Sequence, residues 1–177
     1  MEEIHKTIIR DAAKRQGNAF RKVYDHYSPF IWKVIYRTVN GDNDAAKQIM
    51  QDVFVKAYVS MRSYRFDAAF STWLYRIAYT TSMNYLRKRQ SWWSRFKNLN
   101  EHIAGKDVGG QADARDTIEK ILATLEPEER FLVTAREIDG ISFEELVKMT
   151  GKTSGSMRTR LTRIKENIRR EFSYERQ

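Results

Sequence analysis

Residues 140–170 read GISFEELVKMTGKTSGSMRTRLTRIKENIRR, and their pattern decides the fold class. A short amphipathic run, Phe143–Thr150, meets Gly151, and a second helical run starts at about Ser154. Gly reverses the chain after a helix at no steric cost, so the pattern predicts a helix-turn-helix. On the second helix Met157, Leu161, Ile164 and Ile168 recur at spacings of four, three and four, an inward stripe. Opposite it lie Gly155, Thr159, Thr162 and Arg163, flanked by Ser156 and Arg158. Small side chains let such a helix sink into a major groove, where Arg pairs with guanine edges. Between Lys152 and Arg170 stand seven basic residues and one acid, Glu166. A helix-turn-helix alone does not identify the type of regulator.

Helical periodicity continues toward the N-terminus. Phe20, Val23, Tyr24 and Tyr27 share one face, as do Ile49, Val53, Phe54 and Ala57. Turn residues cluster in NGDND (40–44) and SYRFDAA (63–69), and both prolines, Pro29 and Pro127, sit where helices can begin. Strand-like alternation is absent, so the fold class is all-α. Residues 98–116, NLNEHIAGKDVGGQADARD, hold three of the eight glycines and no periodicity, the composition of a flexible linker. Two small helical domains are expected, 1–92 and 117–177, joined over 93–116.

The first domain ends in an unusual surface. From Ala68 to Asn100 there is no Asp or Glu, while six Lys or Arg share the window with eight aromatic residues. The stretch reads as a helix of about 19 residues capped by Ser71, with an inward stripe of Phe70, Trp73, Leu74, Ile77, Ala78, Thr81 and Tyr85. Tyr75, Arg76, Tyr79, Thr80, Met83, Asn84, Arg87 and Lys88 form its other face. Rings stack on unpaired bases and cations follow phosphates, which suits single-stranded nucleic acid. The alternative is a helix whose rings are all structural and whose terminal cations complement its dipole.

Charge and composition agree with a polyanionic partner: 32 Lys and Arg against 23 Asp and Glu give a net charge of +9. No apolar run approaches the roughly 20 residues of a membrane span, and MEEIHKTIIRDAAKRQ does not read as a secretory signal, so a cytoplasmic protein is expected. The chain has no cysteine, which excludes disulfides, zinc ribbons and thiol catalysis. His5, His26 and His102 lack the paired spacing of a metal or catalytic site, and Glu128 and Glu129 follow Pro127 as first-turn charges. Neither an enzyme, a metal nor a cofactor is expected.

Four ordered blocks carry a family resemblance: AFRKVYDHYSPFIWKVIYR (19–37), QDVFVKAY (51–58), FSTWLYRIAYTTSMNYLRKR (70–89), and LEPEERFLV with EIDGISFEELVKMTG (125–133 and 137–151). The chain resembles a bacterial extracytoplasmic-function (ECF) sigma factor, the small two-domain specificity subunit of RNA polymerase. The resemblance implies that the first domain docks on the beta-prime clamp helices of core RNA polymerase and opens the minus-ten promoter element. The second would meet the beta flap and read the minus-thirty-five element as duplex. Gln51, Asp52 and Phe54 match the docking helix, although Lys47 and Gln48 replace its usual acidic pair. Phe66, Asp67 and Phe70 align with the loop that captures a flipped base. Thr153 through Arg163, including Ser154 and Arg160, align with the minus-thirty-five reader, with Lys152 at a usually hydrophobic place. Thr80 stands where the class commonly has Asn, which implies a relaxed base preference. An anti-sigma factor is the implied regulator. Two rival readings remain: a dimeric helix-turn-helix regulator acting without polymerase, for which no heptad seam offers a dimerisation face, and an enzyme acting on nucleic acid, whose clustered acidic metal ligands the acid-free window lacks.

Overall fold

The computed structural model describes residues 2–96 and 114–173. Eight α-helices are present among them: α1 (Lys6–Ala13), α2 (Ala19–Thr38), α3 (Asn43–Ser60), α4 (Phe70–Phe96), α5 (Ala114–Thr124), α6 (Pro127–Val133), α7 (Phe143–Thr150) and α8 (Ser154–Ser173). A 3-10 turn, Met61–Ser63, follows α3, and a π turn, Thr134–Ile138, prolongs α6. Most of the expected linker, and His102, lie outside the described residues.

Helices α1–α4 enclose one core, built from Val23, Tyr27, Ile31 and Ile35 of α2, Ile49, Val53 and Ala57 of α3, and Phe70, Leu74 and Ala78 of α4. Each set recurs at four-residue steps, so burying one stripe per helix removes the apolar surface from water. Asp42 starts α3 by accepting the Ala45 N–H at 3.0 Å, and it also pairs with Arg89 of α4 at 2.6 Å. The Ala45 N–H, more than the Arg89 guanidinium, holds the Asp42 carboxyl below the usual carboxylate range.

Two expectations about helix starts are corrected. Pro29 lies in the interior of α2 rather than near its beginning. It forfeits one backbone hydrogen bond, but Val23, Tyr27, Ile31, Val34 and Ile35 are buried on either side and hold the helix through it. Ser71 does not cap α4. The carboxylate of Glu3 accepts the N–H groups of Phe70 and Ser71, each at 3.0 Å, and the Tyr27 hydroxyl at 3.1 Å. A negative group thus sits on the N-terminal N–H groups of α4, contributed from 67 positions earlier in the chain. His26 secures the same N-terminal segment by bonding the Glu2 carbonyl at 2.9 Å. Glu3→Ala is expected to cost about 1 kcal/mol, as loss of a helix cap does, and to lower Tm by about 2–4 °C. A calorimetric scan showing no shift contradicts this cap.

The second core unites α5–α8 through Leu122, Phe131, Leu132, Leu146, Met149, Met157, Leu161 and Ile164, and takes in Val34, Tyr75 and Met83 from the first four helices. The helix-turn-helix forms as its residues suggest. Ser142 and Glu145 make a reciprocal capping box on α7, and Gly151 ends it in the left-handed conformation at φ 70°.

The two units are also joined by hydrogen bonds. Arg130 buries its guanidinium and donates to the carbonyls of Leu122 at 2.6 Å, Leu125 at 2.7 Å and, across the junction, Thr38 at 3.1 Å. Its partners are helix-end carbonyls that lack intrahelical donors, so one buried cation satisfies the ends of α5 and α2 together.

Candidate nucleic-acid interface

The non-core face of α4 divides into two stripes. Arg76, Thr80, Asn84, Arg87 and Lys88 are exposed. Tyr75 is 0% exposed and Met83 4%, and Tyr79 is half-buried with its ring centroid 4.1 Å from that of Phe131. The expectation of one continuous outward face is therefore corrected for Tyr75, Tyr79 and Met83. Helix α6 covers them, because their rings and sulfur complete the second core.

Polar bonds register this junction. The Tyr75 hydroxyl donates to Asp139 at 2.9 Å, and the Thr72 hydroxyl donates to Glu145 at 2.7 Å, the same carboxylate that closes the α7 capping box. Burial raises the Asp139 carboxyl pKa against the opposing pull of the Tyr75 bond and of Arg37 and Lys33. A carboxyl whose pKa is raised by the junction favours closure below its unperturbed pKa, and loses that contribution as pH rises through the raised value. Thr80 donates its hydroxyl to the Arg76 carbonyl, which uses its one donor within α4.

Ahead of α4, residues 64–69 form a ring-lined loop. Phe66 holds a left-handed backbone at φ 62°, its ring centroid 4.6 Å from that of Tyr64, and the Tyr64 hydroxyl closes the loop on the Ala68 carbonyl at 2.6 Å. A positive φ is strained for an aromatic residue and persists here because the Tyr64 ring and the Arg10 guanidinium, 5.3 Å over the Phe66 ring, hold the side chain. Asp67 is exposed. Phe70 is 1% exposed, packed among Tyr27, Tyr64 and Trp73, as its place on the inward stripe requires, so the direct DNA contact that its alignment with the base-capturing loop implied is corrected: it supports the loop from beneath.

On α8 the inward stripe Met157, Leu161 and Ile164 is buried, which turns Ser156, Arg158, Thr159, Thr162 and Arg163 to solvent. Thr153 starts the helix, its hydroxyl accepting the Ser156 N–H at 3.2 Å, and Ser154 is half-buried beside it. Arg158 lies over the Phe143 ring at 4.8 Å and bonds Ser154 at 3.3 Å, so its guanidinium is already oriented. Arg160 departs from this group. It turns toward α6 and meets Glu128 at 3.1 Å and Glu129 at 3.7 Å. Lys152 joins the same Glu128 at 2.6 Å, which explains a cation where an apolar residue is usual. The bond from Lys152, ahead of that from Arg160, depresses the Glu128 pKa.

Helix α3 presents a different surface. Gln51 and Asp52 are exposed, whereas Phe54 is 5% exposed and packs edge-on to Tyr24 at 4.6 Å. Phe54, which the family resemblance implied for polymerase docking alongside Gln51 and Asp52, therefore belongs to the core and not to the exposed docking face. Its place is taken by Val55 and Val59, which are 63% and 64% exposed one and two turns beyond Gln51 and Asp52. Sequence reasoning missed these two valines, although the steps from Asp52 to Val55 and Val59 put them on its face.

Residues 23–91 match the family model of Sigma-70 region 2, and residues 115–168 match that of Sigma-70, region 4. These spans coincide with α2–α4 and α5–α8. The chain belongs to the ECF class of RNA polymerase sigma factors. It is 27% identical to the ECF RNA polymerase sigma factor SigW of Bacillus subtilis, over 97% of this chain and 98% of that protein. To the ECF RNA polymerase sigma-E factor of Escherichia coli K12 it is 29% identical, over 92% of this chain and 91% of that one. The sigma factor RpoE of Bartonella quintana, solved in complex with the anti-sigma factor NepR, shares the fold with a TM-score of 0.72 at 18% identity, over 89% of this chain and 98% of that one. CnrH, solved with the cytosolic domain of CnrY, does so with a TM-score of 0.66 at 17% identity, over 95% and 96%.

As an ECF sigma factor the chain binds core RNA polymerase and directs promoter-specific initiation, with region 2 melting DNA and region 4 reading duplex. Among the described residues no helix of this sigma factor is long and apolar enough to cross a membrane.

Proposed function

We propose that the sigma factor docks on core polymerase through α3, using Gln51, Asp52, Val55 and Val59. It melts the minus-ten element with the 64–69 loop and α4, and reads the minus-thirty-five element with Ser156, Arg158, Thr159, Thr162 and Arg163. Arg160 acts indirectly, holding α8 against Glu128 and Glu129. The observation that carries this reading is the burial of Met157, Leu161 and Ile164, which leaves α8 projecting small polar residues and arginines from a rigid turn. Tyr75, Tyr79 and Met83 reach DNA only after regions 2 and 4 part, so promoter melting begins with opening of the α4–α6 junction. An anti-sigma factor that favours the closed arrangement is the fitting regulator. The protein works in the cytoplasm, and its role is recognition rather than chemistry.

Arg163→Ala and Arg158→Ala should each weaken minus-thirty-five recognition by about 1–3 kcal/mol if they pair with base edges. The check is competition among single-base variants of that element by the reconstituted holoenzyme. Equal weakening on every variant assigns both residues to phosphates and removes them from sequence reading.

A further inference from the structure

Phe143 opens α7, and two guanidinium groups share its ring. Arg136, from the π turn, lies 4.7 Å from the ring centroid, and Arg158, from α8, lies 4.8 Å from it. The ring itself is fixed. Its backbone follows directly on the Ser142–Glu145 capping box, and its side chain packs against the second core. Arg136 is tied in turn, donating to the Ile141 carbonyl at 3.0 Å.

Arg158, Arg160 and Arg163 share one helix and differ in what holds them. The carboxylates of Glu128 and Glu129 take up the N–H groups of Arg160. Arg163 makes no hydrogen bond, ion pair or ring contact among the described residues. Arg158 is held by a ring, and an aromatic face attracts the cation as a whole, so its donors are not consumed as a carboxylate consumes them. Among the described residues only its Nε is engaged, on the Ser154 hydroxyl at 3.3 Å, which leaves both terminal nitrogens for outside acceptors.

We propose that Phe143 is a positioning residue for promoter reading: its ring, braced by Arg136, holds the Arg158 guanidinium in advance, with two N–H groups free for the O6 and N7 acceptors of one guanine in the minus-thirty-five element. The inference rests on the reading of Arg158 as a base contact. A long side chain that is already ordered loses less freedom on binding, so the contact gains strength. It also gains selectivity, because a held guanidinium cannot follow acceptors placed elsewhere. Arg163, which nothing holds, adapts to more than one acceptor. An aliphatic residue of similar size would fill the same corner of the core but offers no negative face to a cation.

The test measures base preference at every minus-thirty-five position, by competition for the reconstituted holoenzyme. The chains compared are wild type, Phe143→Leu, Phe143→Tyr, Arg158→Ala, Arg163→Ala and the double variant of Phe143→Leu with Arg158→Ala. Leu keeps the apolar volume and removes the ring face, whereas Tyr keeps both. Phe143→Leu should lower discrimination about 3- to 10-fold at the one position that Arg158→Ala also affects, the scale of a cation held on an aromatic face. Every other position should keep its wild-type preference, the one set by Arg163 among them. Phe143→Tyr should retain wild-type discrimination, and in the double variant Leu should add nothing to the loss from Arg158→Ala. Unchanged preference in Phe143→Leu overturns the proposal. An equal loss at all positions also overturns it, by making the ring a support of the fold, as does an additive loss in the double variant. If Arg158→Ala itself alters no base preference, the reading of Arg158 as a base contact fails, and the proposal with it.

Discussion

Holding regions 2 and 4 together is expected to abolish transcription without abolishing polymerase binding. Thr72 of α4 and Glu145 of α7 meet across the junction at 2.7 Å, and the chain contains no native cysteine to interfere. Thr72→Cys combined with Glu145→Cys, bridged by a short cleavable bis-thiosulfonate, fixes the closed state. Tyr75 and Met83 then stay buried, and a conformation that is never populated contributes no promoter opening. Run-off product should fall by about 100-fold or more, the scale set by the fraction of competent protein, and recover on reduction. The same protein before and after reduction is its own control for loss of the Glu145 capping box. Gln51, Asp52 and the outer face of α8 remain exposed in the closed arrangement, so core binding should decline far less. Unimpaired initiation by the bridged chain contradicts the opening step.

The second large effect belongs to α3. Asp52→Lys reverses a charge on the exposed docking face and should weaken binding to core polymerase by about 2–5 kcal/mol, the range for disrupting a buried interfacial charge contact. Because Asp52 is solvent-exposed in the free chain, unfolding stability should change by no more than about 0.5 kcal/mol. Phe54→Ala provides the contrast. Phe54 is buried against Tyr24, so its truncation should cost about 3–5 kcal/mol of stability and weaken polymerase binding through the fold. Binding by titration with core enzyme and unfolding by urea, measured on both variants, separate the roles. Equal destabilisation by Asp52→Lys makes that residue structural.

Local rules carried the reading furthest where their causes are local. Gly151, the Ser142–Glu145 box and the Met157–Ile164 stripe each act within one or two helical turns, and the structure reproduces the helix boundaries they imply. What escaped depends on distant contacts. Periodicity placed Tyr75, Tyr79 and Met83 off the core stripe of α4, correctly for α1–α4, but a second domain attached beyond a linker covers that flank. Nothing around residue 70 announces that its helix is capped by Glu3. Pro29 marks a helix start only if local propensity prevails, and in α2 buried residues on both sides outweigh it. Phe54 and Phe70 each drew two readings, an apolar stripe from periodicity and a functional segment from the family resemblance, and their burial sides with the stripe. Arg160 differs from Arg158 and Arg163 because Glu128 and Glu129 lie within reach of it alone.

The central claim is that this chain gives core polymerase a promoter address it lacks. Run-off transcription from a randomised promoter library, with core enzyme alone and with the chain added, tests it most directly. The account predicts products only when the chain is present, all from templates sharing one minus-thirty-five and one minus-ten sequence at a fixed spacing. Products independent of the chain, or selection of symmetric duplex sites that the chain binds as a dimer without polymerase, contradict it.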